Sequence, residues 1–165
     1  MDWRKWLRYL LVPGWVARRR FSPGALKHLE ALIAASEACH EGELRLVVEG
    51  CLPFVYAFAP DGCRRRALEL FGSLGVWDTV HNSGVLIYVD LLDRQVEIVA
   101  DRGVHARVGD GFWQDVCREM ERAFARGNYL GGAEGAIARI TATLATHFPA
   151  REKDSNELPD APLVL

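Results

Sequence analysis

Five polar side chains stand at the ends of two short apolar runs or just beyond them: His81, Asn82, Asp101, Arg102 and Asp110. Histidine and aspartate exchange protons at accessible pH, and carboxylates with an amide oxygen ligate hard cations. The set is a candidate binding pocket, and the ligand its oxygens suit is a hard cation. The same residue types also cap helices and tie loops, and that plainer role competes with a site. Other sets fall away on spacing. Asp93 and Asp101 lie at opposite ends of one extended run, roughly 25 Å apart, and cannot form a catalytic pair. No nucleophile elbow, phosphate loop or His-Glu-x-x-His pattern occurs. Cys39, Cys51, Cys63 and Cys117 form no Cys-x-x-Cys and have no histidine at zinc-ligand spacing, so they read as free thiols. Glu37 and His40 read as a surface pair. Arg64-Arg65-Arg66 reads as a solvated helix start, with phosphate or anionic lipid as its alternative.

The stretch His81–Val104 must position four of the five, and Asp110 follows it. Val85–Val89 is apolar at every position and predicts a strand buried on both faces. A polar corner, Asp90–Arg94, leads to the β-branched run Gln95–Ala100, which predicts an antiparallel hairpin. The start of one such strand lies beside the end of the other, which brings Asn82 to Asp101. His81 and His105 belong to the same neighbourhood. Upstream, 43–49 reads as a strand and 64–74 as a helix with Leu68, Phe71 and Leu74 inward. Strand, helix and strand make a right-handed crossover, with 43–49 parallel to 84–89. Further helices are predicted from Ser22-Pro23 to about Cys39, over 111–126 with Asp110 as N-cap, and over 133–148. Residues 50–60 and the short stretch from Gly103 to Gly109 read as connections. The fold class is α/β, a single-domain sandwich with a small mixed β-sheet and helices on both faces.

A chain of 165 residues with half its residues apolar suits one such domain. The net charge of −2 argues against nucleic acid as a partner. No apolar run approaches the ~20 residues that cross a bilayer. Three regions are expected. Residues 22–149 form the domain, and residues 150–165, with prolines at 159 and 162, form a flexible tail. Residues 1–21 form a basic, aromatic N-terminal segment. In it, Trp3 and Trp6 head an apolar helical stripe beside Arg4, Lys5 and Arg8, and Arg18, Arg19 and Arg20 follow. Such a helix either docks its tryptophans on the domain or meets a membrane surface or partner. It does not read as a secretory signal, so the expected location is cytoplasmic, with the inner-membrane surface as the place of peripheral contact.

The motifs Asn82-Ser83-Gly84-Val85-Leu86-Ile87-Tyr88-Val89 and Asp93-Arg94-Gln95-Val96-Glu97-Ile98 come first. Gly103-Val104 leading to Asp110 follows, then Ala123-Phe124-Ala125-Arg126-Gly127-Asn128-Tyr129 with Gly131-Gly132 and Gly135-Ala136-Ile137. In that order, over about residues 22–148, they resemble the TPM-domain family, in its short, signal-less bacterial branch. The resemblance implies a compact α/β sandwich. It also brings two functional readings, since relatives include a thylakoid-lumen acid phosphatase, a photosystem repair factor and divalent-cation-binding bacterial proteins. One is a TPM binding module for a protein partner or an anionic membrane surface. The other is a divalent-cation-assisted acid phosphatase. Typical relatives carry Asp-Asn-Gly before the central strand and a Glu on the return strand. Here Asn82 and Ser83 take the first two of those positions and Val99 the last, while Asp110 matches. A calcium or magnesium site on Asn82, Asp101 and Asp110 is therefore expected to be weak, and the binding module is preferred.

Overall fold

The computed structural model describes residues 3–11, 15–150 and 156–165. In chain order the elements are α1 (Trp3–Leu11), α2 (Trp15–Arg20), α3 (Pro23–Glu37), β1 (Glu43–Glu49), α4 (Phe54–Ala57) and α5 (Gly62–Ser73). Then come β2 (Gly84–Asp90), β3 (Gln95–Ala100), α6 (Arg102–Val108), α7 (Asp110–Ala125), α8 (Tyr129–His147) and β4 (Leu163–Val164).

A strand without polar residues in its middle has to be covered on both sides, and β2 is, with all its residues buried. It pairs in parallel with β1, Leu44 opposite Val85 through Val48 opposite Val89, as the crossover predicts. It pairs antiparallel with β3, Val85 opposite Ala100 through Val89 opposite Val96. The sheet order is β3-β2-β1-β4. Period-two alternation divides the strands between two cores. Leu44, Leu46, Val48, Ile87 and Ile98 face α3, α7 and α8, against Ile33, Met120, Phe124 and Ile140. Val47, Leu86, Tyr88 and Val99 face α5, against Cys63, Ala67 and Leu70. This is the expected sandwich with helices on both faces. Ser22 caps α3 as predicted, its Oγ accepting from the Ala25 N–H at 3.1 Å.

Several expectations need correction. The buried face of α5 is Cys63, Ala67 and Leu70, while Leu68 points outward. Arg66 is not solvated, because it forks onto Glu49 with Nη2 at 2.8 Å and Nε at 3.0 Å. His40 is no surface residue either; it is buried, bonded to Ser36 Oγ at 2.8 Å and to the Gly42 N–H at 3.1 Å. Two short helices, α4 and α6, replace expected connections. Neither has the apolar stripe that marks a helix in sequence, since α4 buries only Ala57 and α6 only Val104. Gly109, not Asp110, is the N-cap of α7, and Asp110 lies in its first turn.

Residues 156–165 lie along β1 rather than loose. Leu163 and Val164 pair in parallel with Val47 and Val48. The Glu43 carboxylate accepts from the N–H groups of Glu157 at 3.0 Å and Leu158 at 3.1 Å. The tail composition hides this, because the partners are polar backbone groups rather than an apolar stripe.

Candidate functional site

The hairpin brings its ends together as predicted. The Asp101 N–H donates to the Gly84 carbonyl at 2.8 Å. At Gly103 a Cβ would sit 2.6 Å from the Asn82 carbonyl oxygen, so the start of α6 can pack on that loop only because residue 103 is glycine. Asn82 holds the loop in a left-handed conformation, φ +50°, which asparagine tolerates. Thr79 and Ser83 tie the loop down: Thr79 Oγ1 accepts from the Ser83 N–H at 2.9 Å, and Ser83 Oγ donates to the Glu41 carbonyl at 2.8 Å.

The five sequence candidates do not converge on one point. Asp101 is buried and caps α6, its Oδ1 accepting from the Arg102 N–H at 2.6 Å. Its Oδ2 is buried with no hydrogen-bond partner. Asn82 and Arg102 are exposed. His81 Nε2 approaches Glu41 Oε2 at 4.0 Å and lines a cavity of 140 Å³ with Arg107, His147 and Phe148. Arg107, which the sequence did not single out, donates to the His147 carbonyl at 2.7 Å and lies over the Phe148 ring at 4.2 Å. Asp110 faces elsewhere. It pairs with His105 Nε2 at 3.3 Å and lines a cavity of 540 Å³ along the outer side of β3. The length of α6, roughly 10 Å, separates it from Asp101.

The larger cavity is lined by Arg64, Glu97, Trp113, Cys117 and Arg118 as well. Its charges are largely matched. Arg64 donates to the Ile98 carbonyl at 2.7 Å and approaches Glu97 at 3.5 Å, and Arg118 pairs with Asp115. Burial, then the Glu97 charge, pushes the Cys117 thiol up to about 12. A thiol held that high is no nucleophile at neutral pH.

Calcium needs about six to eight oxygens. Asn82, Asp101 and Asp110 present one inward carboxylate oxygen without a partner, on Asp101, with Asp110 engaged elsewhere. Among the described residues, no group of three or more His, Cys, Asp or Glu is placed to hold a metal ion. In this structure Asn82, Asp101 and Asp110 are not gathered into one set of oxygen ligands.

A second polar cluster lies at the other end of the parallel pair, where Glu49 stands opposite Asp90. Tyr88 donates to Glu49 Oε2 at 2.5 Å beside the Arg66 fork. Asp90 is fully buried; burial and the Asp93 charge push its carboxyl up to about 7 against the pull of the Leu92 N–H. Sequence reading passed over this cluster. Its signal was available in the register, since Glu49 and Asp90 each end a parallel strand. Tyr9 of α1 reaches over it, donating to Asp93 Oδ2 at 2.9 Å and packing on Phe58 at 5.7 Å.

The membrane or partner candidates are divided. Trp3 is 65% exposed, and Arg19 and Arg20 are exposed. Arg19 lies over the Trp15 ring at 4.5 Å and Arg20 over Tyr129 at 5.1 Å. The side chains of Arg4, Lys5, Trp6, Arg8 and Arg18 lie outside the described residues. Leu7, Leu10 and Leu11 continue the stripe of Trp3 at helical spacing and are all exposed. Among the described residues of α1, Tyr9 meets the expectation that the helix docks on the domain. Among the described residues no helix is long and apolar enough to cross a membrane.

A family model described as the TPM domain matches residues 18–143. The protein BA42 of the psychrophilic bacterium Bizionia argentinensis has a similar solved structure, with a TM-score of 0.75 at 27% identity over 87% of this chain and 94% of that one. The N-terminal domain of a P. gingivalis protein shares the fold, with a TM-score of 0.64 at 20% identity over 79% of this chain and 82% of that one. No curated protein matches. With the model spanning most of the sandwich, the chain belongs to the TPM-domain family.

Proposed function

We propose that this protein is a TPM-domain interaction module that works at an anionic membrane surface through its N-terminal arm. The observation that carries the reading is the orientation of α1. Tyr9 ties the helix to the domain, while Leu7, Leu10 and Leu11 are exposed, with Trp15 exposed beyond them. An exposed apolar stripe of this size on a charged helix has lipid or a protein as its natural cover. The charge distribution favours lipid. The first twenty residues hold six basic and one acidic residue, net +5, while the whole chain carries −2, so the remainder carries −7. Each Lys or Arg close to an anionic leaflet contributes about 1 kcal/mol, and salt screens it.

The experiment is co-sedimentation with vesicles of phosphatidylglycerol and phosphatidylcholine, against phosphatidylcholine alone. Binding to the anionic vesicles only, falling between low and ~0.5 M salt and abolished by deleting residues 1–20, is expected. Equal recovery with and without the deletion would refute the arm's role. Phosphomonoester turnover that depends on added calcium or magnesium would replace this reading with the phosphatase one.

A further inference from the structure

Residues 156–165 are held on β1 chiefly through their backbone. Glu43, 5% exposed, receives the N–H groups of Glu157 and Leu158. Arg45, 8% exposed, donates to the carbonyls of Pro159 and Ala161, the latter at 2.7 Å. Farther along, the Leu165 N–H donates to the Val48 carbonyl at 3.0 Å, and the Gly50 N–H to the Leu165 carbonyl at 3.2 Å. Leu158 is buried, and Leu163 and Val164 are half-buried. Main-chain bonds for affinity and side-chain sockets for selectivity are the two parts of peptide recognition by strand addition.

Emptying this edge would uncover two charged side chains that the sheet has buried and a row of bare backbone groups. The edge therefore demands an occupant. The chain supplies one through residues 151–155, Arg-Glu-Lys-Asp-Ser, a tether without an apolar side chain. None of the bonds above depends on which copy of the chain the segment comes from.

We propose that the outer edge of β1 is a binding site for an extended aliphatic peptide, filled in cis by residues 156–165 and in trans by the same segment of a second copy. A short tether gives the cis segment an effective concentration of about millimolar. Exchange between copies then appears only near that concentration, or when the cis segment is disabled.

The test titrates a labelled synthetic peptide of residues 156–165 into the full chain carrying Leu163→Asp and Leu165→Pro, which disable its own segment. Fluorescence anisotropy should show binding at least tenfold tighter than to the unaltered chain, and adding Glu43→Gln and Arg45→Gln should weaken it at least tenfold. A variant that melts cooperatively yet binds the peptide no better than the unaltered chain would overturn the proposal. If that variant fails to fold, hydrogen exchange on the unaltered chain decides. The amides of Glu157, Leu158 and Leu165 should exchange at least tenfold faster than that of Ile87 after correction for intrinsic rates. Exchange of all of them only through global unfolding would mean that the edge never empties, and would overturn it equally. Sedimentation at about millimolar protein should show a dimer that excess peptide disperses, and a strictly monomeric chain there would refute the exchange between copies.

Discussion

β3 and β1 each present a row of backbone groups at the outside of the β2-centred sheet, and the chain closes the two rows differently. On β3 the closure is made by side chains from packed helices. The Val96 N–H donates to Glu121 Oε1 at 3.1 Å, the Ile98 carbonyl accepts from Arg64 at 2.7 Å, and the Ile98 backbone also meets the Cys117 thiol. On β1 one side chain, Glu37, accepts from the Leu44 N–H at 2.8 Å, and the rest is covered by residues 156–165. Side chains of α5 and α7 close β3, whereas on the proposal above the segment that closes β1 can also leave it. Both arrangements prevent edge-to-edge aggregation.

The largest expected effect is on the β1 side. Glu43→Ala leaves the N–H groups of Glu157 and Leu158 without their buried acceptor. Hydrogen bonds to a buried charged group contribute roughly 1.5–3 kcal/mol each, so the variant should lose about 3 kcal/mol, a fall in Tm of roughly 10 °C. Thermal melts with hydrogen exchange on residues 156–165 measure it. A loss below ~0.5 kcal/mol would mean that the segment is held by something other than Glu43.

A smaller effect separates the edges by pH. Burial pushes the Glu37 carboxyl up to about 8, and the charges of Glu43 and Asp160 push the same way, against the Leu44 N–H. A carboxyl raised in the folded state binds its proton more tightly there than in the unfolded chain. Its contribution is complete below the ordinary carboxylate range near 4.5 and is lost as pH rises through about 8. The β1 edge should therefore loosen between about pH 4.5 and 8 by about 1 kcal/mol, discounted for the partial exposure of Glu37. Glu37→Gln should flatten the change. Asp90 titrates in an overlapping window, so the comparison is best made in an Asp90→Asn background. On β3 the capping thiol of Cys117 stays protonated up to about 12, so exchange of Ile98 should not follow pH beyond the intrinsic rate. Equal pH responses at both edges would remove the distinction.

How much of this was legible before the structure follows from what each part is made of. The central hairpin and the crossover rest on apolar alternation and turn residues within short spans, and their pairings match the sequence reading. The neighbourhood of Asn82 and Asp101 followed from that register. What stayed hidden depends on partners distant in sequence. Glu49 carries no sequence signal beyond ending a strand until Arg66 and Tyr88 fold onto it. Residues 156–165 read as loose because their partners, Glu43 and Arg45, lie more than a hundred positions away. Asp110 matched the family motif, yet α6 carries it away from Asp101 to its partner His105.

Disturbing the β3 closure should cost less. Glu121→Ala removes one acceptor from the Val96 N–H; the bond is part-buried and borders the cavity along β3, from which water can take the acceptor's place. The expected loss is below about 1 kcal/mol, with no change in exchange at Leu158 or Leu165.

The smallest expected quantity is the coupling between the two edges, and it tests the comparison most directly. Glu43 in β1 and the Val96 that Glu121 holds in β3 lie two strand spacings, roughly 10 Å, apart across the sheet and toward opposite ends of β2. Glu43 and Glu121 contact different elements: the first holds residues 157 and 158, the second reaches from α7 to Val96. Substitutions at that separation without shared partners add to within about 0.5 kcal/mol. A double-mutant cycle on Glu43→Ala and Glu121→Ala should therefore give an interaction near zero, by melts or denaturant titration. A coupling above about 1 kcal/mol would show the strain of one edge passing through β1 and β2 to the other. In that case the β1 segment could not leave without disturbing β3, and the sheet would have one cooperative closure rather than a fixed edge and an opening one.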